Sequence, residues 1–197
     1  MRGKLRALST PSRSLVVATV VALVVGAVFA FARRVDFDTY PGWRLALNAA
    51  TYLGLLALIS ALMLRPLHWR AVSAGREMAL VALSFLAPFG WALAPVPALS
   101  RVVDASSGGR DCLVIGFALG AILIVLFHAI DRALQSNFRS AAIAAAGAGL
   151  TANLALVFHC PQTRPLHLAF VHAPIGLVLL FVYRRVLLRF ARWRFAL

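Results

Sequence analysis

The sequence predicts an all-α, polytopic membrane protein: a single domain, residues 1–197, of six transmembrane helices with both termini cytoplasmic. Three observations predict it. The chain is 62% apolar and only 13% charged, whereas a soluble domain carries about 25% charged residues. Its apolar residues fall in six blocks, at about 14–32, 44–64, 78–97, 111–130, 140–159 and 168–187, each near the roughly 17–25 residues that cross a bilayer as a helix. No block alternates with the period of a membrane barrel strand, and lipid satisfies no open backbone group, which leaves helices. Finally, with the N-terminus inside, fourteen of the 20 Lys and Arg residues fall on the inner side and six on the outer, and this positive-inside bias orients the chain.

Taken in order, residues 1–13 form a basic tail, and span one ends near Ala30-Phe31-Ala32. That tripeptide is similar to a signal-peptidase site, but the long apolar stretch and the polytopic context predict a retained anchor. The loop at 33–43 carries Tyr40 and Trp43, which suit a membrane interface. An inner loop around 65–77 holds Arg70. Span three contains Pro88, Pro95 and Pro97, and Pro88 should kink it because it lacks a backbone donor. Ser106-Ser107-Gly108-Gly109 reads as an outer turn.

Span four carries Gly116 and Gly120, and span five is rich in alanine and glycine from Ala141 to Gly149. Small residues at four-residue spacing let helices approach closely in lipid, so the two spans should pack as a tight antiparallel hairpin turning near Asp131 to Asn137. Asn48 and Asn153 lie within spans and should hydrogen-bond between helices. His128 sits near the inner end of span four.

The formal net charge of +14 would point a soluble chain towards nucleic acid. Here no groove-reading element is evident, so no direct nucleic-acid contact is expected. The basic extension of span six, with Arg185, Arg189 and Arg192 on one face, suits anionic membrane lipids or an acidic partner. No paired carboxylates, Ser/His/Asp arrangement or phosphate-binding glycine loop occurs, so no enzymatic activity is expected. No carboxylate lies at mid-membrane, which disfavours a small transporter.

The chemistry concentrates on two cysteines. Cys112 opens span four and Cys160 closes span five, and these are the only cysteines in the chain. Both fall on the outer side, where disulfides are permitted. Packed helix axes lie about 8–10 Å apart and a disulfide needs Cα atoms within about 7 Å, so the pair is near bonding geometry. Three readings stay open: two unrelated small residues, a disulfide or responsive dithiol, and a thiolate metal site. His159, His167 and His172 add imidazole, and the combination suits a soft ion such as zinc. On an α-helix, however, adjacent His159 and Cys160 diverge, and His167 and His172 lie about 140° apart. No local chelate is expected, and each histidine alone reads as an interfacial anchor.

Arg34-Val-Asp36-Phe37, Cys112 opening span four, the small-rich span five ending in Ala-Leu-Val-Phe-His159-Cys160-Pro161, and then Pro165-Leu-His167-Leu and His172 together resemble the NrsF-like family. That family consists of six-helix bacterial inner-membrane proteins that act as anti-sigma factors towards extracytoplasmic-function sigma factors. The resemblance spans most of the chain and is most specific over residues 110–175. It implies that the chain holds a sigma factor at the inner membrane and releases it on an outer metal or redox signal sensed by Cys112 and Cys160. Residues 1–13 lack the acidic-apolar segment common in the family, so partner contact would fall to Arg70, Arg139 and the basic C-terminus with Arg185, Arg189 and Arg192. The alternative is a membrane thiol-disulfide oxidoreductase, weakened by the absence of a CxxC that would tune one thiol for attack.

Overall fold

The computed structural model describes residues 10–34, 36–38, 40–64, 74–93, 108–130, 138–161 and 164–194. Six long helices make the fold: α1 (Thr10–Phe31), α2 (Gly42–Leu64), α3 (Ala74–Leu93), α4 (Gly108–Ile130), α5 (Phe138–His159) and α6 (Ile175–Arg194). Among the described residues there is no strand. Five of the predicted spans are long and apolar enough to cross a membrane, and α1 carries a shorter apolar stretch, Leu15–Phe31. Arg70, the Pro95 and Pro97 segment, the turn at 131–137 and the termini lie outside the described residues, as do the side chains of His128, Arg189 and Arg192.

Helix α5 is the axis of the bundle. Every residue from Ala141 to Leu156 is buried, and α5 packs against all five other helices. The reason lies in its side chains. Helices in lipid gain little hydrophobic drive towards one another and associate through close van der Waals packing. The helix with the smallest side chains is therefore the one that five neighbours can surround. A ring of larger residues fills the space around it, including Ile59 and Met63 of α2, Val81 of α3, and Leu123 and Phe127 of α4.

The predicted α4–α5 hairpin forms and is the most extensive helix pairing in the bundle. Its glycines act differently from the sequence expectation. A Cβ on Gly116 would meet Ile175 Cδ1 at 2.6 Å and Leu156 Cδ1 at 3.0 Å, and one on Gly120 would meet Leu179. The α4 glycines thus admit α6, while the alanines of α5 bring α4 close. Gly149 of α5 meets α6 directly, since its Cβ would lie 2.7 Å from the Gly176 Cα.

Asn153 also departs from expectation. It donates to the Gly149 carbonyl of its own helix at 2.9 Å, as Thr151 does to Gly147. Pro88 lies inside α3 and is buried.

The last span begins earlier than predicted and is not one regular helix. A single helical turn at Pro165–His167 passes into a π-turn, Leu168–His172. The Ala173 amide donates to the Leu168 carbonyl at 2.9 Å, an i→i+5 bond, before α6 starts. At one end of the bundle, Glu77 in the first turn of α3 is buried and paired with Arg139 of α5. The chemistry gathers at the opposite end.

Candidate functional site

That opposite end holds the start of α4, the end of α5 and the segment before α6. Cys112 lies in the first turns of α4 and is buried; Cys160 follows the last residue of α5 and is buried. Both are free thiols. The helix pairing brings them together, and the π-turn adds His167 and His172. One ligand atom from each of Cys112, Cys160, His167 and His172 lies within 4.8 Å of all the others.

The π-turn explains why the histidines meet. On an α-helix the residue overlying position i lies four on, whereas an i→i+5 turn brings position i+5 round to the same side. His167 and His172 accordingly sit edge to face with ring centroids 5.2 Å apart. His167 Nε2 lies 3.2 Å from Cys160 Sγ.

His159 takes no part in the cluster. Its Nδ1 lies 2.7 Å from the carbonyl oxygen of Ala32, so it ties the end of α5 to the end of α1. The sequence grouped it with the other two histidines, but rotation about the helix directs it the other way.

The donor set fits a tetrahedral soft ion. Bonds of about 2.0–2.3 Å imply donors roughly 3.3–3.8 Å apart, and the Cys160–His167 distance is already of that order. Four protein ligands would close the coordination shell, the pattern of a binding site rather than of one that activates water. The Nε2 of His172, buried and without a hydrogen-bond partner, is a polar atom awaiting a ligand, since such groups are normally satisfied.

Cys160 stands one residue beyond the α5 span. Its thiol is held well below the usual thiol range, first by a hydrogen bond from Cys112 and then by His167 and His172, with burial opposing. A thiolate there is both the nucleophile of thiol chemistry and a metal ligand.

The loop between α1 and α2 covers this end. The Arg34 amide donates to the Phe158 carbonyl at 2.8 Å. Its guanidinium forms a bidentate pair with Asp36, at 2.6 and 2.8 Å, and stacks 3.8 Å from the Tyr40 ring centroid. Arg34 also reaches the Pro161 carbonyl at 3.4 Å. The Arg34-Val-Asp36-Phe37 motif thus lies against the segment that carries Cys160.

Of the basic residues assigned to partner contact, Arg139 is engaged with Glu77 and Arg185 is exposed on α6. A groove of about 720 Å³ between α1, α2 and α5 is lined by apolar side chains such as Val21, Leu53 and Phe158. It carries no reactive group.

Two features escaped the sequence reading although signals for them exist. Arg44, Asn48 and Tyr52 recur every four residues and so share one face of α2, and all three line a cavity beside Cys160. Glu77 is the one glutamate in the chain, set at the start of a span level with Arg139 at the start of another.

No family model matches the chain, and no curated protein or solved structure is significantly similar to it. The fold and site define it as a multi-pass helical membrane protein by the length and composition of its helices. It carries a Cys2His2 cluster at one end of the bundle.

Proposed function

We propose that this protein is a membrane-embedded anti-sigma factor. It would sequester an extracytoplasmic-function sigma factor and release it when Cys112 and Cys160 meet a metal or oxidant on the outer side of a bacterial inner membrane. The observation that carries the sensing half is the convergence of Cys112, Cys160, His167 and His172 within 4.8 Å. The regulatory half rests on the resemblance of the cysteine and histidine segments to the NrsF-like family. The positive-inside distribution of Lys and Arg supports placing the cluster outside and both termini in the cytoplasm.

The mechanism follows from where the ligands sit. Cys112 belongs to α4, Cys160 to α5, and the histidines to the segment leading into α6. A soft divalent ion bound by all four would tie three helices together at one end. An oxidant would instead join two of them, as the thiols lose two electrons and two protons to form a disulfide. Either event favours one packing of α4, α5 and α6 over another, and a ligand shifts an equilibrium only by its differential affinity for the two states. The rigid α5 would carry the change towards Arg139 and Glu77 at the other end.

The test is co-purification of the full-length protein with each sigma factor of its host. We expect one sigma factor to bind and to be released by zinc, cadmium or a mild oxidant. Cys112→Ser and Cys160→Ser should abolish release. No sigma partner would sink the regulatory reading, and normal release by both variants would sink the sensor reading.

A further inference from the structure

A polar cavity flanks the Cys/His cluster. Its volume is about 40 Å³, and its wall includes Arg34, Arg44, Asn48, Tyr52, Cys160 and His172. Cys160 thus belongs to both the cluster and the cavity. Among the described residues Cys112 belongs to the cluster alone, although its sulfur lies within 4.8 Å of the Cys160 sulfur. The two thiols are therefore neighbours with unequal access to the same small space.

What the wall offers is hydrogen bonding. Arg34 has Asp36 as its counter-ion, so charge balance there requires no bound ion. Guanidinium, amide and phenol groups supply donors, and the amide and phenol oxygens also accept. His172 is buried, and its Nε2 has no hydrogen-bond partner. A small neutral molecule that both donates and accepts suits such a wall. Size narrows the occupant further. One water needs about 10–15 Å³ by this measure, so the cavity has room for roughly three. Hydrogen peroxide, with two oxygens, fits. A hydroperoxide carrying a tert-butyl group does not.

We propose that this cavity binds hydrogen peroxide and presents it to Cys160, with Cys112 as the resolving thiol. The inference rests on the reading of the two cysteines as a redox pair and is independent of any sigma factor. In the first step the Cys160 sulfur attacks one peroxide oxygen. An S–O bond forms, the O–O bond breaks, and the second oxygen leaves as hydroxide, which takes up the thiol's proton to become water. The donors of the wall stabilise the charge that develops on that leaving oxygen. Cys160 is then a sulfenic acid. The Cys112 sulfur attacks it, an S–S bond forms, the S–O bond breaks, and hydroxide leaves to become water with the Cys112 proton. Two electrons pass from the thiols to the peroxide.

The experiment follows thiol oxidation in the reduced, metal-stripped, full-length protein in nanodiscs. Hydrogen peroxide should close the disulfide faster than tert-butyl hydroperoxide, and this preference should exceed that of free cysteine by about tenfold or more. Cys112→Ser should stop at a sulfenic acid on Cys160, trapped by dimedone, and Cys160→Ser should give no adduct on Cys112. Asn48→Leu and Tyr52→Phe each remove a polar group from the wall and should slow the peroxide reaction by about tenfold or more. Prolonged incubation with diamide, which needs no peroxide site, should still close the disulfide in wild type and in both wall variants. A peroxide preference no greater than that of free cysteine, dimedone labelling of Cys112 in place of Cys160, or full peroxide rates in both wall variants would overturn the proposal and leave the redox pair standing. Failure of diamide to form the disulfide in wild type would sink the redox pair, and this proposal with it.

Discussion

His167 and His172 face one another across a single π-turn, with their rings at 65° and their centroids 5.2 Å apart. They are five positions apart, a spacing that an α-helix would splay. The extra residue in the turn converts two interfacial side chains into half of a four-ligand cluster. Such π-turns recur at functional sites because they rotate side chains without ending the helix.

The cluster predicts stoichiometric metal binding. Equilibrium dialysis of the full-length reduced protein should find one zinc or cadmium ion per chain. Cys112→Ser or Cys160→Ser should weaken binding by roughly 100-fold or more, since each removes a direct ligand whose supporting partners alone are worth about 10- to 100-fold. His159→Ala should leave affinity within about threefold, because its ring binds the Ala32 carbonyl outside the shell. Binding of more than one ion with equal affinity in the cysteine variants would contradict the site.

Acid should weaken the same binding. Thiolates and imidazoles bind metal only when deprotonated, so protons compete with the ion and affinity falls as pH is lowered. Dialysis repeated from neutral to mildly acid pH gives the sign.

The π-turn can be tested by changing its length. Deleting Ala169 leaves the histidines four residues apart, which an α-helix also places on one face. Metal affinity should stay within about tenfold of wild type. Inserting an alanine after Ala169 separates them by six, off that face, and should cost more than the deletion.

The glycine contacts predict a contrast. In Gly149→Ala the new Cβ meets backbone, the Gly176 Cα at 2.7 Å, so α5 and α6 must separate. Overpacking of that kind costs about 1–3 kcal/mol. In Gly116→Ala the nearest atom is the end of the flexible Ile175 side chain at 2.6 Å. Its smaller cost is offset by the ~1 kcal/mol by which alanine favours a helix over glycine. Thermal unfolding in detergent should therefore show a clear loss for Gly149→Ala and little change for Gly116→Ala.

The Glu77–Arg139 pair predicts a third stability effect. Glu77→Gln leaves Arg139 beside a neutral partner, and breaking a buried pair costs about 3–5 kcal/mol, less here because Arg139 is partly exposed. A double variant, Glu77→Gln with Arg139→Gln, should lose less than the sum of the two single changes. Additive losses would mean that the two residues do not stabilise the bundle through each other.

The amino-acid sequence alone pointed to the helical class, to five apolar helices long enough to cross a membrane, to the pairing of α4 with α5 and to a Cys112–Cys160 pair near bonding geometry. These follow from block hydrophobicity and small-residue spacing, which are local properties of the chain. It also pointed to the right histidine-rich segment but not to its geometry, because a π-turn and an α-turn share the same apolar composition. Only the tertiary structure decided that α5 is the central axis, that Gly116 and Gly120 admit α6, and that His159 turns to Ala32 while His167 and His172 turn to the cysteines. It alone decided the burial of Arg34 and Arg44 around one cavity. Burial and convergence depend on which helices surround a residue, and that is settled by packing all six at once, not by any one span.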